Sequence, residues 1–372
     1  MDSVRVGLIG SGFVSAIHYE ALRQVAGAQV IAVASPSPGH AERFAAERSI
    51  PHHFTDYRAV LDLKDVDLVV LGLPNDLHCE ATCLAAEARK HVVVEKPMAP
   101  SLAECDRMIA ACQRAGTLLG YAEELCFTPK YVRLKQLIDE GALGKVHLVK
   151  QSEKHDGPHT AWFYDTRRSG GGVTFDMGCH AIEFFRWLLG DSSSGAKAAI
   201  TSVYAQMGTY VHSDKTDGDD EAILLLTFAG GAVGLAEESW TKPGGMDDRA
   251  EVFGSAGQAY ADLLHGNALR AFSRHGYAYA VEKAGATAGW SFPIYEEIWN
   301  YGFPQEMEHF VDCVRRATPP REDGHDGRAV VEAIHALYAS AAQGRRIELP
   351  FASAAARPID HWKPGGSVTV SG

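Results

Sequence analysis

Short apolar runs alternate with longer stretches of helical spacing through the first third of the chain. Val4–Ile9, Gln29–Ala34, Val66–Leu71, His91–Val94 and Leu118–Tyr121 are strand-length runs of four to six residues. Between them, residues 16–26, 39–48, 78–87 and 103–115 repeat apolar positions at the spacing of a helix face. Strands this short, alternating with helices of ten or so residues, predict an α/β fold with a doubly wound parallel sheet. Helices on both faces account for strands that are apolar almost throughout.

The pattern then changes. Residues 147–153, 199–206, 222–228, 232–238, 250–253, 259–263 and 269–272 read as strands without intervening long helices. Gly230-Gly231 and Gly254-Ser255-Ala256-Gly257 supply turn chemistry between neighbours. An antiparallel sheet therefore follows the parallel one, in an α+β domain. The expected boundaries are 1–122 for the first domain, 123–350 for the second and 351–372 for a loosely held tail. Ser213–Asp220 reads as an acidic, solvated loop.

The punctuation of the first domain carries chemistry. Gly10-Ser11-Gly12-Phe13-Val14-Ser15 follows the first strand and opens the first helix, the context a dinucleotide fingerprint requires. Gly10 allows the tight turn, Gly12 lets a pyrophosphate approach the backbone, and Ser15 is small enough for close helix–strand packing. Free N–H groups and the helix dipole would hold the phosphates. The second strand ends in Ser35-Pro36-Ser37-Pro38, with no acid for a ribose hydroxyl and no adjacent arginine for a 2′-phosphate. NAD against NADP is thus nearly open, leaning to NAD. Pro74-Asn75-Asp76-Leu77-His78 and Glu95-Lys96-Pro97 end the third and fourth strands on the same edge, where open α/β sheets bind ligands. Cofactor contacts are expected from Gly10, Gly12, Phe13, Val14, Ser35, Pro74, Asn75, His78, Glu95 and Lys96. Asn75 has the plain alternative of a helix N-cap.

Charge at the end of a buried strand is a local conflict of the kind found at functional sites. Lys96 can donate to a substrate hydroxyl and favour a developing alkoxide. Downstream, Gly170-Gly171-Gly172-Val173-Thr174-Phe175-Asp176-Met177-Gly178-Cys179-His180 places an acid and a histidine four residues apart, on one face of a helix that starts near Asp176. The glycines would let the backbone pass close to a ligand. His180 is the candidate general acid/base, with Asp176 orienting it or binding a hydroxyl. A capping aspartate beside a satisfied histidine is the alternative. His155, His159, Trp162 and Arg167 precede the glycines and suit a sugar's apolar faces and hydroxyls; packing is the alternative for Trp162 and Phe163. A metal held by His155, His159 and His180 has no diagnostic spacing, and no metal is expected.

These motifs resemble the glucose–fructose oxidoreductase / inositol dehydrogenase (Gfo/Idh/MocA) family. The resemblance rests on the Gly-x-Gly start, Pro-Asn-x-x-His, Glu-Lys-Pro and Gly-Gly-Gly-x-x-x-Asp-x-Gly-x-His, and runs to about residue 350. It implies an NAD(P)-dependent dehydrogenase or reductase of sugars, polyols or their derivatives. It implies that Lys96, Asp176 and His180 hold the catalytic positions. It also implies a large open sheet in a substrate-binding and oligomerisation domain, hence a homodimer or homotetramer. Where many members carry Asn and Arg after the fifth strand, this chain reads Tyr121-Ala122-Glu123-Glu124-Leu125, so Glu124 is the expected substrate contact there.

Composition narrows the classes. A net charge of −12 argues against a nucleic-acid partner. No run approaches the roughly 18 apolar residues of a membrane helix. Seven cysteines without Cys-x-x-Cys spacing, and no signal-peptide pattern, lead to an expected cytoplasmic location. The partner expected is a carbohydrate-like small molecule, larger than a free hexose given the aromatic residues: a glycoside oxidised to a keto sugar. Two other readings are an NAD-dependent glycosidase working by transient oxidation and elimination, and a non-catalytic NAD(P)-binding regulator.

Overall fold

The computed structural model describes residues 3–264, 271–273, 289–291 and 297–363. The chain forms two compact units, Met1–Phe127 with Gly302–Val331, and Thr128–Tyr301 with Glu332–Gly372.

The first unit is built on six parallel strands: β1 (Val4–Ile9), β2 (Ala28–Ala34), β3 (His52–Phe54), β4 (Leu68–Leu71), β5 (His91–Glu95) and β6 (Leu119–Ala122), in the order β3-β2-β1-β4-β5-β6. This is the dinucleotide-fold order, and the crevice lies where it reverses, outside the carboxyl ends of β1 and β4. The central strands are buried along nearly their whole length, as helices on both faces require. The helix Leu102–Ala115 shows how sequence sets the boundaries. Ser101 and Glu104 form a reciprocal capping box, and Gly116 stops the helix at φ 69°. Leu102, Cys105, Met108, Ile109 and Cys112 form its buried face. The short strand β3 has no apolar alternation, and the sequence pattern does not mark it.

Residues 302–331 belong with this unit rather than with the second domain, where the sequence places everything from 123 to 350. The reason lies in the edge strand. Gly120 of β6 pairs with Asp323, and the Tyr121 N–H donates to the Glu322 carbonyl. The Phe310 ring occupies the space over Gly120, 2.5 Å from where a Cβ would stand. An otherwise open edge is thus covered by the returning chain.

The second unit carries β7 (Val146–Lys154), β8 (Ile200–Gly208), β9 (Glu221–Phe228), β10 (Val233–Ser239), β11 (Asp247–Gly254) and β12 (Gln258–Asp262). A two-stranded pair, β13 (Ala271–Ser273) and β14 (Gly289–Ser291), follows, and then β15 (Ile347–Glu348). The large sheet runs β12-β11-β7-β10-β9-β8-β15, antiparallel except for β7 with β10. Both glycine turns predicted from the sequence are present: Gly231 sits at φ 83° between β9 and β10, and Gly254 N–H donates to Gly257 O between β11 and β12. Of the strand expected over 269–272, Leu269 and Arg270 lie outside the described residues.

Two expectations are corrected. Ser213–Asp220 is solvated only in part: Ser213, Asp214, Lys215 and Asp217 are exposed, but Thr216, Gly218, Asp219 and Asp220 are buried. The Asp220 carboxylate accepts the N–H groups of Tyr210, Val211 and His212 at 2.7–2.8 Å, so backbone donors replace its water. The segment after Pro350 is tied down through Lys363. Phe351 N–H donates to the Glu332 carboxylate, and Ile359 N–H to the Gly170 carbonyl.

Asp248 is fully buried under Tyr131, whose hydroxyl donates to it at 2.8 Å. Burial pushes its carboxyl up to about 7; the Tyr131 bond opposes the rise and neighbouring Asp247 adds to it. The unfolded value is about 3.9, so the native state keeps a proton that the unfolded chain sheds. Stability from this group is complete below about pH 4 and declines as pH rises to about 7. Asp248→Asn removes the dependence. The variant should gain on the parent by up to about 1.4 kcal/mol per pH unit across that window. Thermal unfolding of both proteins between about pH 5 and pH 8 checks this; a constant difference contradicts it.

Candidate active site

In the first unit, the ends of β1, β4 and β5 place Gly10, Gly72 and Lys96 on one edge. Gly10 has φ 115°, and a Cβ there would stand 2.2 Å from the Gly72 carbonyl oxygen. The turn therefore needs glycine twice over, for its left-handed backbone and for its contact. Gly12 differs: a Cβ on it would meet nothing within 4 Å. It is the N-cap of the helix Phe13–Leu22 and offers no side-chain oxygen to the first turn. An open cradle above an uncapped helix N-terminus is what a dinucleotide pyrophosphate fits. Ser15 is buried, its Oγ 2.6 Å from where a Gly72 Cβ would be, so a small residue is required there. Phe13 is exposed and Val14 half-buried beside the cradle.

Ser35 is buried at the end of β2, its N–H bonded to Phe54 O. Pro74 caps a 3₁₀ turn, Asn75–Leu77, inside which Asn75 is buried; the helix that follows takes Leu77 as its N-cap. Asn75 is therefore not that helix's cap. The His78 side chain is turned into the protein. It is fully buried, with Nε2 2.9 Å from Leu73 O and Nδ1 3.2 Å from the carbonyls of Pro97 and Met98. Its ring is engaged on both sides and braces two loops. Glu95 is also turned inward: it lies 2.6 Å from His18 Nε2, and its other oxygen accepts the Lys96 N–H at 3.0 Å. Burial alone would raise its pKa, but the hydrogen bond and charge of His18, with the charge and N–H of Lys96, hold it below the usual carboxylate range. The Lys96 side chain is half-buried. Glu124 is buried in a 3₁₀ turn, one of the acids that, after burial itself, push Glu306 well above the carboxylate range.

In the second unit, Asp176 and His180 are both buried, but not on one helix. Asp176 ends a short turn, Val173–Asp176; Met177 at φ −110° separates it from the helix Gly178–Leu188, whose first turn holds His180. The break lets Met177 O accept the His180 N–H at 2.9 Å. The glycines before Asp176 make room for the protein itself. A Cβ on Gly172 would lie 2.0 Å from the backbone oxygen of Asp219, and one on Gly171 2.4 Å from the Tyr338 hydroxyl. The Asp219 carboxylate accepts the N–H groups of Gly172 and Thr174 at 3.2 and 2.8 Å and the hydroxyl of Tyr338.

Asp176 accepts the Trp240 indole N–H at 3.2 Å. Trp240 is fully buried, Tyr164 meets it edge-on at 5.7 Å, and the Trp240 carbonyl lies 3.1 Å from His212 Nε2. Trp162 and Phe163 stack at 3.8 Å, both half-buried. His155 is buried, and His159 exposed. Arg167 is exposed and chelates Asp165 through Nε and Nη2 at 2.9 Å, which competes with its expected substrate role. Trp240, Asp219 and Tyr338 were not marked in the sequence. Asp219 precedes β9, Trp240 follows β10 and Tyr338 lies on the helix Gly324–Gln343, and only the fold brings them to the Asp176 turn.

Residues 4–123 match the family model described as an oxidoreductase family with an NAD-binding Rossmann fold, and residues 131–260 match the GFO/IDH/MocA C-terminal domain. The chain is 25% identical to myo-inositol 2-dehydrogenase of Thermotoga maritima, over 93% of this chain and 98% of that one. It is 29% identical to the NAD(+)-dependent scyllo-inositol 2-dehydrogenase of Bacillus subtilis, over 85% and 88%. A solved structure of GenD2 from gentamicin A biosynthesis, in complex with NAD, superposes with a TM-score of 0.87 at 31% identity, over 94% of this chain and 97% of that one. No helix among the described residues is long and apolar enough to cross a membrane. With a dinucleotide cradle in its first unit and the matching C-terminal domain in its second, the chain belongs to the GFO/IDH/MocA family of NAD(P)-dependent oxidoreductases.

Proposed function

We propose that this protein oxidises a ring hydroxyl of a sugar, glycoside or polyol, or reduces the matching ketone. The observation that carries the reading is the open Gly12 cradle at an uncapped helix N-terminus, on the sheet edge that also carries Lys96. NAD or NADP, when bound, supplies the hydride acceptor or donor. The chain's own residues handle the proton. Lys96 donates to the substrate oxygen and favours its alkoxide. His180 takes the hydroxyl proton on oxidation and returns it on reduction. Asp176, held by the Trp240 indole, orients the histidine or the substrate. The stacked Trp162–Phe163 pair offers apolar area to a substrate larger than inositol, so a glycoside converted to a keto-glycoside is our preferred substrate.

We further propose a homodimer or homotetramer, in the cytoplasm. The outward row Tyr204, Leu225, Leu235, Lys150, Glu251, Tyr260 crosses the large sheet in register, with Leu225 39% and Tyr260 64% exposed. Apolar residues standing in water on a broad sheet suit a second copy.

Four outcomes are expected. Purified protein, with NAD or NADP, should change absorbance at the reduced-nicotinamide band with aryl glucosides faster than with free inositol. His180→Ala should lower kcat by about 10²- to 10⁴-fold. Release of aglycone without net reduction of the nucleotide would instead support transient oxidation, and no turnover of any kind a regulator. Trp240→Phe, which keeps the ring and removes the N–H, should lower kcat by about tenfold, the equivalent of one charge-assisted bond of roughly 1.5 kcal/mol. An unchanged kcat would show that the indole does not orient Asp176. Leu225→Arg should lower the mass seen by light scattering to that of a smaller species; an unchanged mass would remove this face as the interface.

A further inference from the structure

We propose that His18 is a positioning residue for Lys96, acting through the Glu95 carboxylate. The inference rests on the reading of Lys96 as catalytic and adds a residue to it.

His18 lies on the helix Phe13–Leu22, 77 positions before Glu95, and its side chain is fully buried. Its Nε2 is 2.6 Å from one Glu95 oxygen. The other Glu95 oxygen accepts the backbone N–H of Lys96 at 3.0 Å. One carboxylate therefore joins the dinucleotide-side helix to the main chain of the lysine. The histidine is held in turn: its ring meets Phe303 edge-on at 6.0 Å, on the helix Phe303–Arg316 that returns to this unit. On the far side of the lysine, His78 lies against the carbonyls of Pro97 and Met98 and against Leu73 O at the end of β4. Residues 95–98 are thus pinned from two sides by buried imidazoles.

The electrostatics fit this arrangement. Glu95 stays ionised although it is buried, through His18 and Lys96. Glu306 on the returning helix is fully buried and is driven towards its neutral form, first by burial and then by Glu124, Glu95 and Glu123. Of Glu95 and Glu306, the charge accordingly rests on Glu95, which touches both His18 and the Lys96 N–H. A buried carboxylate that loses its principal donor must protonate or shift. Either change releases the lysine's main chain, and a displacement of about 1 Å in a catalytic group can cost about 10²-fold in rate.

The test compares His18→Ala, His18→Gln, Glu95→Gln and Lys96→Met in the full-length enzyme. Kinetics are measured together with nucleotide affinity from quenching of protein fluorescence by NADH, and with the thermal midpoint. His18→Ala should lower kcat by about 10- to 10²-fold, within the reach of misplacement, while substrate KM and NADH affinity change by less than about threefold. His18→Gln puts an amide N–H near the place of Nε2 and should recover most of kcat. Glu95→Gln removes the charge and should lower kcat as His18→Ala does. A fall in thermal midpoint with kcat retained in the folded fraction would overturn the proposal, since it shows packing alone. Inactive Lys96→Met with fully active His18→Ala would overturn it too, leaving the catalytic reading intact. Active Lys96→Met would remove the reading itself. Should His18→Ala fail to fold, a normal kcat in both His18→Gln and Glu95→Gln decides against the proposal, and a loss in Glu95→Gln that His18→Gln does not share decides for it.

Discussion

A carboxylate taken out of water needs hydrogen-bond donors in its place, or it takes up a proton. That constraint shapes both units. Glu95 meets it with His18 and the N–H of Lys96. Asp176 meets it with the Trp240 indole. Asp219 draws in the N–H groups of Gly172 and Thr174 and the Tyr338 hydroxyl, and Asp220 gathers three successive N–H groups from residues 210–212. Each acid fixes a loop that carries, or adjoins, a residue of the candidate site. Burial still outweighs the donors at Glu306, Asp248 and Asp219, whose carboxyls are pushed upwards.

Glycine plays the complementary part. Gly10 and Gly172 are needed because another piece of backbone stands where a Cβ would go. Gly12 is needed for the opposite reason, an empty space kept open. Three glycines read alike in a sequence and divide, in three dimensions, between packing and binding. The Gly170–Gly172 run belongs to the first kind. Its backbone approaches Asp219 and Tyr338, and so it shapes the approach to Asp176 from within the protein.

Much of the fold was legible in advance, because burial on both faces leaves a continuous apolar run and a helix leaves a periodic one. Five of the six parallel strands carried that signature; β3, three residues long and largely exposed, did not. The second sheet's hairpins were legible from Gly230-Gly231 and Gly254–Gly257. Less of the candidate site was legible. His78 and Glu95 carry the residue types expected of cofactor contacts, yet both side chains point inward to brace the chain. Arg167 bonds to Asp165, two residues away.

The sequence by itself determined the fold class, the dinucleotide fingerprint and the residue types able to move a proton, because these depend on local spacing and on chemistry carried by single side chains. Tertiary structure decided which partner each of those side chains meets. His18 reaches Glu95 across 77 positions and Trp240 reaches Asp176 across 64, and residues 302–331 return to close the edge of β6. Contacts over such separations leave no periodic trace in a single chain; they arise when burial brings distant polar groups together and each must find a donor or an acceptor.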